Sequence, residues 1–274
     1  MKKPKIVHIY GGSGFAMYTH LGVSQCLYDH GVKPDAVVGV SGGSIVALLI
    51  ATGMAPKFAL DITKKILPST FIKFNWKFFV KGHWGLFTLD GLENILKKYA
   101  KGKFCHAEIP LYIVATDVVR EQAVVFSTEH TPSFEMAKAS RMSCSIPGLF
   151  DTYPIDDCEA IYTDGGVVNN LPVDLKVVKE AEKAYAIRLL TEPEDDKKIP
   201  NNLSEFMIKV LGSMMREIER KHIEDASYNS KVVNIYVPIN AMNFLAITPE
   251  KIEWMYKLGY DQMKKKIEQG KVKV

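Results

Sequence analysis

DAVVGVSGGSIVALLIA, running from Asp35 to Ala51, joins a short β-branched run to a segment that is apolar on every side. The joint is Gly39-Val40-Ser41-Gly42-Gly43. Asp35 to Val40 reads as a strand, and Ser44 to Thr52 as a buried helix. A serine at such a joint sits on a tight, strained turn that flanking glycines relieve. The turn lifts the hydroxyl above the sheet edge, and the helix N-terminus behind it supplies free N–H groups and positive potential. The same string also fits a plain strand–helix turn or a phosphate-binding loop.

Upstream lies a second unit of the same kind. Ile6 to Tyr10 is a short strand ending at Gly11-Gly12, and Ala16 to Asp29 reads as a helix stopped near Gly31. Strand–helix–strand–helix predicts a mostly parallel sheet covered by helices, an α/β fold. Further strands are expected at Leu111 to Thr116, Ala123 to Ser127, Ala160 to Thr163, Lys183 to Leu190 and Val232 to Val237. Leu203 to about Ile223 has amphipathic helical spacing, and Thr191 to Pro200 reads as a charged loop. Thr248-Pro249 signals the start of a last helix. No internal repeat or linker interrupts the chain, so 1–274 is expected to form one domain. Its motif-bearing core spans about 5–175, with C-terminal helical and strand elements at about 180–274.

Composition excludes several classes. The chain has 274 residues, 47% hydrophobic and 24% charged, with a net charge of +4. That charge does not point to nucleic acid as a partner. Cys26, Cys105, Cys144 and Cys158 are scattered, without a CxxC pair. No acidic cluster of EF-hand type is present, so neither a metal nor a cofactor is expected. The basic N-terminus is followed by an apolar run too short for a signal peptide, and no stretch is long enough to cross a bilayer. The expected location is cytoplasmic.

Gly11-Gly12-Ser13-Gly14 is a second anion-directed loop. A dinucleotide fingerprint fails there, because Met17 occupies the third glycine position and no acid follows the second strand. No Gly-Lys-Ser/Thr follows, so it is not a Walker loop. With a serine nucleophile nearby, the anion is a tetrahedral oxyanion, for which each lost donor costs roughly 3–4 kcal/mol. The alternative is a tight turn only.

A serine nucleophile needs a base. His8, His20, His30, His83, His106 and His130 have no motif around them, and His222 lies in a stretch dense with charge that reads as a solvated helix face. The remaining candidate is Asp164, at a strand end before Gly165 and Gly166. It would serve best with a pKa raised by partial burial. A plain Asp-Gly turn fits the tripeptide as well.

Taken together, the loop Gly12-Ser13-Gly14, the elbow Gly39 to Gly43 and Asp164-Gly165-Gly166 resemble the patatin-like phospholipase family, in that family's order. His20-Leu21-Gly22-Val23, the segment Ala139 to Phe150, and Asn169-Asn170-Leu171-Pro172-Val173 extend the resemblance over roughly residues 5–175. It implies a three-layer α/β/α sandwich with a mostly parallel central sheet. It also implies a Ser41–Asp164 dyad without histidine, and an oxyanion hole at Gly12, Ser13 and Gly14 whose donors are the N–H groups of Ser13 and Gly14. The activity implied is hydrolysis of lipid esters, of phospholipase A or lysophospholipase type. An acyltransferase using the same acyl-enzyme and a catalytically weak lipid-binding relative are the other readings. In one respect the chain departs from the family: its basic loop residue and the next glycine fall on Ala16 and Met17.

Phe71 to Val80 packs Phe71, Phe74, Trp76, Phe78 and Phe79 among Lys73, Lys77 and Lys81. Lysines every four residues suit a helix, while the alternating apolar residues suit a strand. Both an interfacial lid in peripheral membrane contact and a core-covering element fit. Met207, Met214 and Met215 are expected to be ordinary helix packing.

Overall fold

Alternation along the strands divides the interior into two cores. In β1 (Ile6–Tyr10), Val7 and Ile9 face one side of the sheet and Tyr10 the other; in β2 (Ala36–Val40), Ala36 and Val38 oppose Val37. Both faces are buried, as a parallel sheet with helices on each side requires. The computed structural model describes residues 3–64, 67–78, 80, 83–100, 102–155, 159–191, 199–201, 203–226, 229–238 and 247–274. Cys158, Phe79, Lys81, the Met207 side chain and positions 192–198 of the charged loop lie outside the described residues.

The helices are α1 (Met17–Asp29), α2 (Gly42–Ala51), α3 (Pro56–Thr63), α4 (Pro68–Phe71), α5 (Asp90–Tyr99), α6 (Met136–Ser143), α7 (Gly166–Asn169), α8 (Lys176–Lys179), α9 (Leu203–Glu224) and α10 (Pro249–Glu268). The remaining strands are β3 (Lys73–Phe74), β4 (Gly85–Thr88), β5 (Leu111–Asp117), β6 (Gln122–Ser127), β7 (Gly148–Phe150), β8 (Tyr153–Ile155), β9 (Ala160–Asp164), β10 (Lys183–Thr191) and β11 (Ser230–Val237).

The central sheet runs β11-β10-β1-β2-β5-β9-β8, with β6 also paired to β5. From β11 to β5 every pairing is parallel; β6, β9 and β8 join antiparallel. The larger core lies between this sheet and α1, α2, α6 and α10, and the smaller one beneath α8 and the end of α9. The chain therefore has the expected three-layer α/β/α arrangement. A small second sheet, β3-β4-β7, is attached beside it.

Two expectations need correction. His222 does not belong to a solvated face: it is half-buried, and its Nδ1 lies 3.0 Å from Asn169 Oδ1, because α9 lies over α7. On that helix Met215 packs inward, against Gly166, whereas Met214 is exposed together with Phe206 and Val210. The 3.6-residue period identified a helix, but its apolar stripe is wider than the surface it covers.

Candidate active site

Strand β5 acts as a ruler for the site. Strand β6 runs along one edge of β5, from Tyr112 to Asp117. The other edge is shared: β2 pairs with Val37 to Val40 opposite Leu111 to Val114, and β9 then pairs with Asp164 opposite Ala115. A strand has only two edges, so β2 and β9 meet end to end, at successive positions of β5. One strand runs up to Val40 and the other comes down to Asp164. Ser41, the next residue after Val40, is therefore delivered beside Asp164 across a sequence separation that no local pattern encodes.

Ser41 has φ 51° and ψ −130°, in the left-handed region that non-glycine residues avoid. Its N–H donates to Ser143 Oγ at 2.8 Å, and Ser143 Oγ donates to the Val114 carbonyl at 2.6 Å. The Ser44 hydroxyl donates to the Ser41 carbonyl at 2.6 Å and lies 2.8 Å from Ser140 Oγ. Ser140 and Ser143 thus tie the elbow to α6; the run of serines after Ala139 was the available signal for them. Glycines are required sterically around the turn. A Cβ on Gly43 would overlap the Tyr10 carbonyl, and one on Gly39 would lie 2.6 Å from Ser44 Cα. Helix α2 begins directly after Ser41 and directs its N-terminus at it.

Asp164 is fully buried, and burial raises its pKa from the ordinary carboxylate range to about 6. The nearby Ser41 hydroxyl and the Gly166 N–H, which donates to Oδ1 at 2.7 Å, oppose that rise. Oδ2 is buried and makes no hydrogen bond of ordinary length among the described residues. A Cβ on Gly165 would overlap the Val114 carbonyl, and one on Gly166 would press on Met215 and Asn170. Among the described residues no histidine hydrogen-bonds to Ser41 or Asp164. His8 and His20 are fully buried, and burial lowers their pKa to about 3 and about 4, which keeps them neutral. Cys144 lies beside Ser44 and is held as a thiol, its pKa raised to about 12 chiefly by burial and then by the Asp164 charge.

The loop before α1 faces the same elbow. The Gly12 N–H is already donated to the Asn170 carbonyl at 3.0 Å. Gly12 therefore serves by lacking a side chain, because a Cβ there would overlap Asn170 Oδ1. The amides of Ser13 and Gly14 have no protein acceptor among the described residues. Gly14 has φ 50°, and its carbonyl abuts Gly42 so closely that a Cβ on Gly42 would overlap it. Ser13 Oγ is buried, without a hydrogen-bond partner among the described residues, on the side of Gly42. Ala16 is fully buried in the core.

Between this loop and the small sheet lies an apolar pocket reaching Ser41. Its wall includes Phe15, Met17, Ile45, Phe71, Leu89 and Phe150. Its free interior is ≈ 40 Å³, far below the roughly 300–1,000 Å³ of an open ligand site. Of this stretch, Phe71 ends α4 and Lys73–Phe74 form β3, the outer strand of the small sheet, while Asn75 to Phe78 belong to neither helix nor strand. Phe71 faces the pocket, while Phe74, Trp76 and Val80 are exposed. No helix among the described residues is long and apolar enough to cross a membrane.

The chain is similar to known proteins in sequence and in fold. A model of the patatin-like phospholipase family matches residues 9–175, more than half of the chain. The uncharacterized protein R571 of Acanthamoeba polyphaga mimivirus is 26% identical over 93% of this chain and 91% of its own length. The lysophospholipase NTE1 of Meyerozyma guilliermondii is 28% identical over 65% of this chain and 12% of its own length. The crystal structure of VipD from Legionella pneumophila superposes on 97% of this chain and 67% of that protein, with a TM-score of 0.56 and 14% identity, a likeness of fold alone.

Proposed function

The chain belongs to the patatin-like phospholipase family, and from that premise we propose that it cleaves carboxylic esters of lipids with Ser41 as nucleophile and Asp164 as base. The substrate class is a phospholipid or lysophospholipid, reached by peripheral contact with a lipid surface. One observation supports the reading: β2 and β9 end against each other on a single edge of β5, and the Asp164 carboxyl beside Ser41 is buried.

Ser41 Oγ attacks the acyl carbonyl while its proton passes to Asp164. The N–H groups of Ser13 and Gly14 and the N-terminus of α2 stabilise the oxyanion. Collapse of the tetrahedral adduct breaks the bond to the alcohol, which leaves with the proton from Asp164. A water then attacks the acyl-enzyme with Asp164 again as base, and the fatty acid departs as Ser41 recovers its proton. A base with a pKa of about 6 is ionised near neutrality yet remains basic enough to accept the proton.

Labelling with a fluorophosphonate probe tests this. Wild type is expected to label, Ser41→Ala not at all, and Asp164→Asn at least about a hundredfold more slowly. Folded wild-type protein that fails to label with or without liposomes would sink the reading.

A further inference from the structure

We propose that the segment from β3 to β4 is a docking surface for an anionic lipid bilayer, placed so that an acyl chain passes from the bilayer into the Ser41 pocket. Only the passage of the acyl chain rests on the hydrolase reading; docking itself stands without it.

Three observations converge on this segment. The first is exposure. Trp76 is 87% exposed, and Phe74, Val80, Trp84 and Leu86 are exposed beside it. Stray apolar residues on a surface are ordinary, but five exposed apolar side chains between Phe74 and Leu86, two of them tryptophan, are a concentration of apolar surface. These side chains are held out by a fixed backbone. The Asn75 N–H donates to the Leu86 carbonyl at 2.8 Å and the Asn75 amide to the Gly85 carbonyl at 2.8 Å, while Asn75 Oδ1 accepts from the Lys77 N–H at 3.0 Å. Phe74 and Trp76 meet edge to face, their ring centroids 4.9 Å apart.

The second is charge. Between Lys73 and Thr88 stand Lys73, Lys77 and Lys81 and no acidic residue; Lys64, farther back in the chain, is paired with Glu253. Lysine is depleted at the centres of protein–protein interfaces, whereas tryptophan with flanking lysine suits the bilayer boundary, where rings sit at headgroup level and ammonium groups meet phosphate. This favours a lipid surface over a protein partner.

The third is continuity with the site. Strand β4 pairs with β7, Phe87 opposite Phe150, and Phe150 lines the Ser41 pocket. Phe71 and Leu89, on either side of the segment, line it too. His83 is bonded to Asp151, just beyond β7, at 2.7 Å. Phe74, Phe87 and Phe150 are partners across the three strands, so the exposed Phe74 shares a sheet face with the pocket wall.

The test uses the full chain carrying Ser41→Ala, so that vesicles are not consumed, and Trp254→Phe, so that emission comes from Trp76 and Trp84 alone. With vesicles of phosphatidylcholine containing phosphatidylserine, emission is expected to shift to the blue and the protein to sediment with lipid. Trp76→Asp with Trp84→Asp should lower partitioning at least tenfold. Lys73→Gln with Lys77→Gln should lower it on the order of tenfold on anionic vesicles only, and added salt should erase that difference. Unchanged partitioning of the tryptophan variant would overturn the proposal. So would an equal loss from Phe206→Asp on α9, or a change in self-association of the hairpin variants without lipid.

With Ser41 restored, hydrolysis of a soluble short-chain ester separates docking from catalysis. Normal ester hydrolysis with hairpin-independent vesicle binding would remove the docking surface and leave the hydrolase reading intact. Hairpin-dependent binding with no ester hydrolysis would do the reverse.

Discussion

Asp164 is under two opposing demands, and its pKa records both. Burial favours the neutral acid, while a base must be ionised. Below about pH 6 the carboxyl is protonated and cannot accept the serine proton. We therefore expect kcat/KM on a soluble ester to fall about tenfold per unit below pH 6 and to level off above about pH 7, with no histidine limb. The same shift has a stability consequence of definite sign. The folded-state pKa lies above the unfolded one, so the group favours the fold below about pH 4 and loses that contribution as pH rises through about 6. The cost at pH 8 is about 3 kcal/mol. Asp164→Asn, which retains an acceptor for the Gly166 N–H, should raise Tm at pH 8, with a gain that shrinks toward pH 4. Thermal melts across pH would show it, and a variant less stable than wild type at pH 8 would contradict the assignment of the shift to burial.

At the scale of elements, close backbone approaches matter more than side-chain choice. Helices α1 and α10 cross at Gly22 and Gly259. A Cβ on Gly22 would overlap the Tyr256 carbonyl, and one on Gly259 the Thr19 carbonyl. Neither neighbour is a flexible side chain that can turn aside. Gly22→Ala should therefore destabilise by roughly 1–3 kcal/mol through overpacking, read as a lower midpoint in urea, while the fluorophosphonate reactivity of the folded fraction is retained. The elbow has the same character, since Gly39, Gly42, Gly43 and Gly165 each face backbone atoms of a neighbouring element. Sequence reasoning located the elbow glycines through the turn they flank. It offered no comparable handle on Gly259, whose partner lies over two hundred residues earlier.

For the molecule as a whole, the notable quantity is how little space lies in front of Ser41. A free interior of ≈ 40 Å³ cannot hold an acyl chain unless the wall gives way. Met17 contributes to that wall. Met17→Ala should deepen the pocket and shift the preferred chain length upward, measured as relative kcat/KM along a series of p-nitrophenyl esters. An unchanged profile would mean that chains enter by another path. Activity on substrate presented in vesicles should also exceed activity on the same ester as monomer. A bilayer docked there would offer lipid to the very sheet that helps close the pocket.

The sequence by itself determined what depends on near neighbours. Strand–turn–helix units arise from β-branched runs ended by glycine, so β1, α1, β2 and α2 were legible to within about two residues, as were β5, β6, β9, β10, β11, α9 and the start of α10. Three short motifs in order gave the family resemblance, and the family model spans the same stretch. Tertiary structure alone decided what depends on pairing between distant strands. No periodicity predicts that β2 and β9 divide one edge of β5, yet that sharing places Ser41 beside Asp164. Nor does periodicity place Ser143 under the elbow, half-bury His222 against Asn169, or leave Phe206, Val210 and Met214 exposed on a helix whose spacing predicts burial. The reason is physical. Local backbone preference and hydrophobic period are properties of a few consecutive residues, whereas the burial that raises the Asp164 pKa and the register that positions it are set by segments brought together only when the sheet closes.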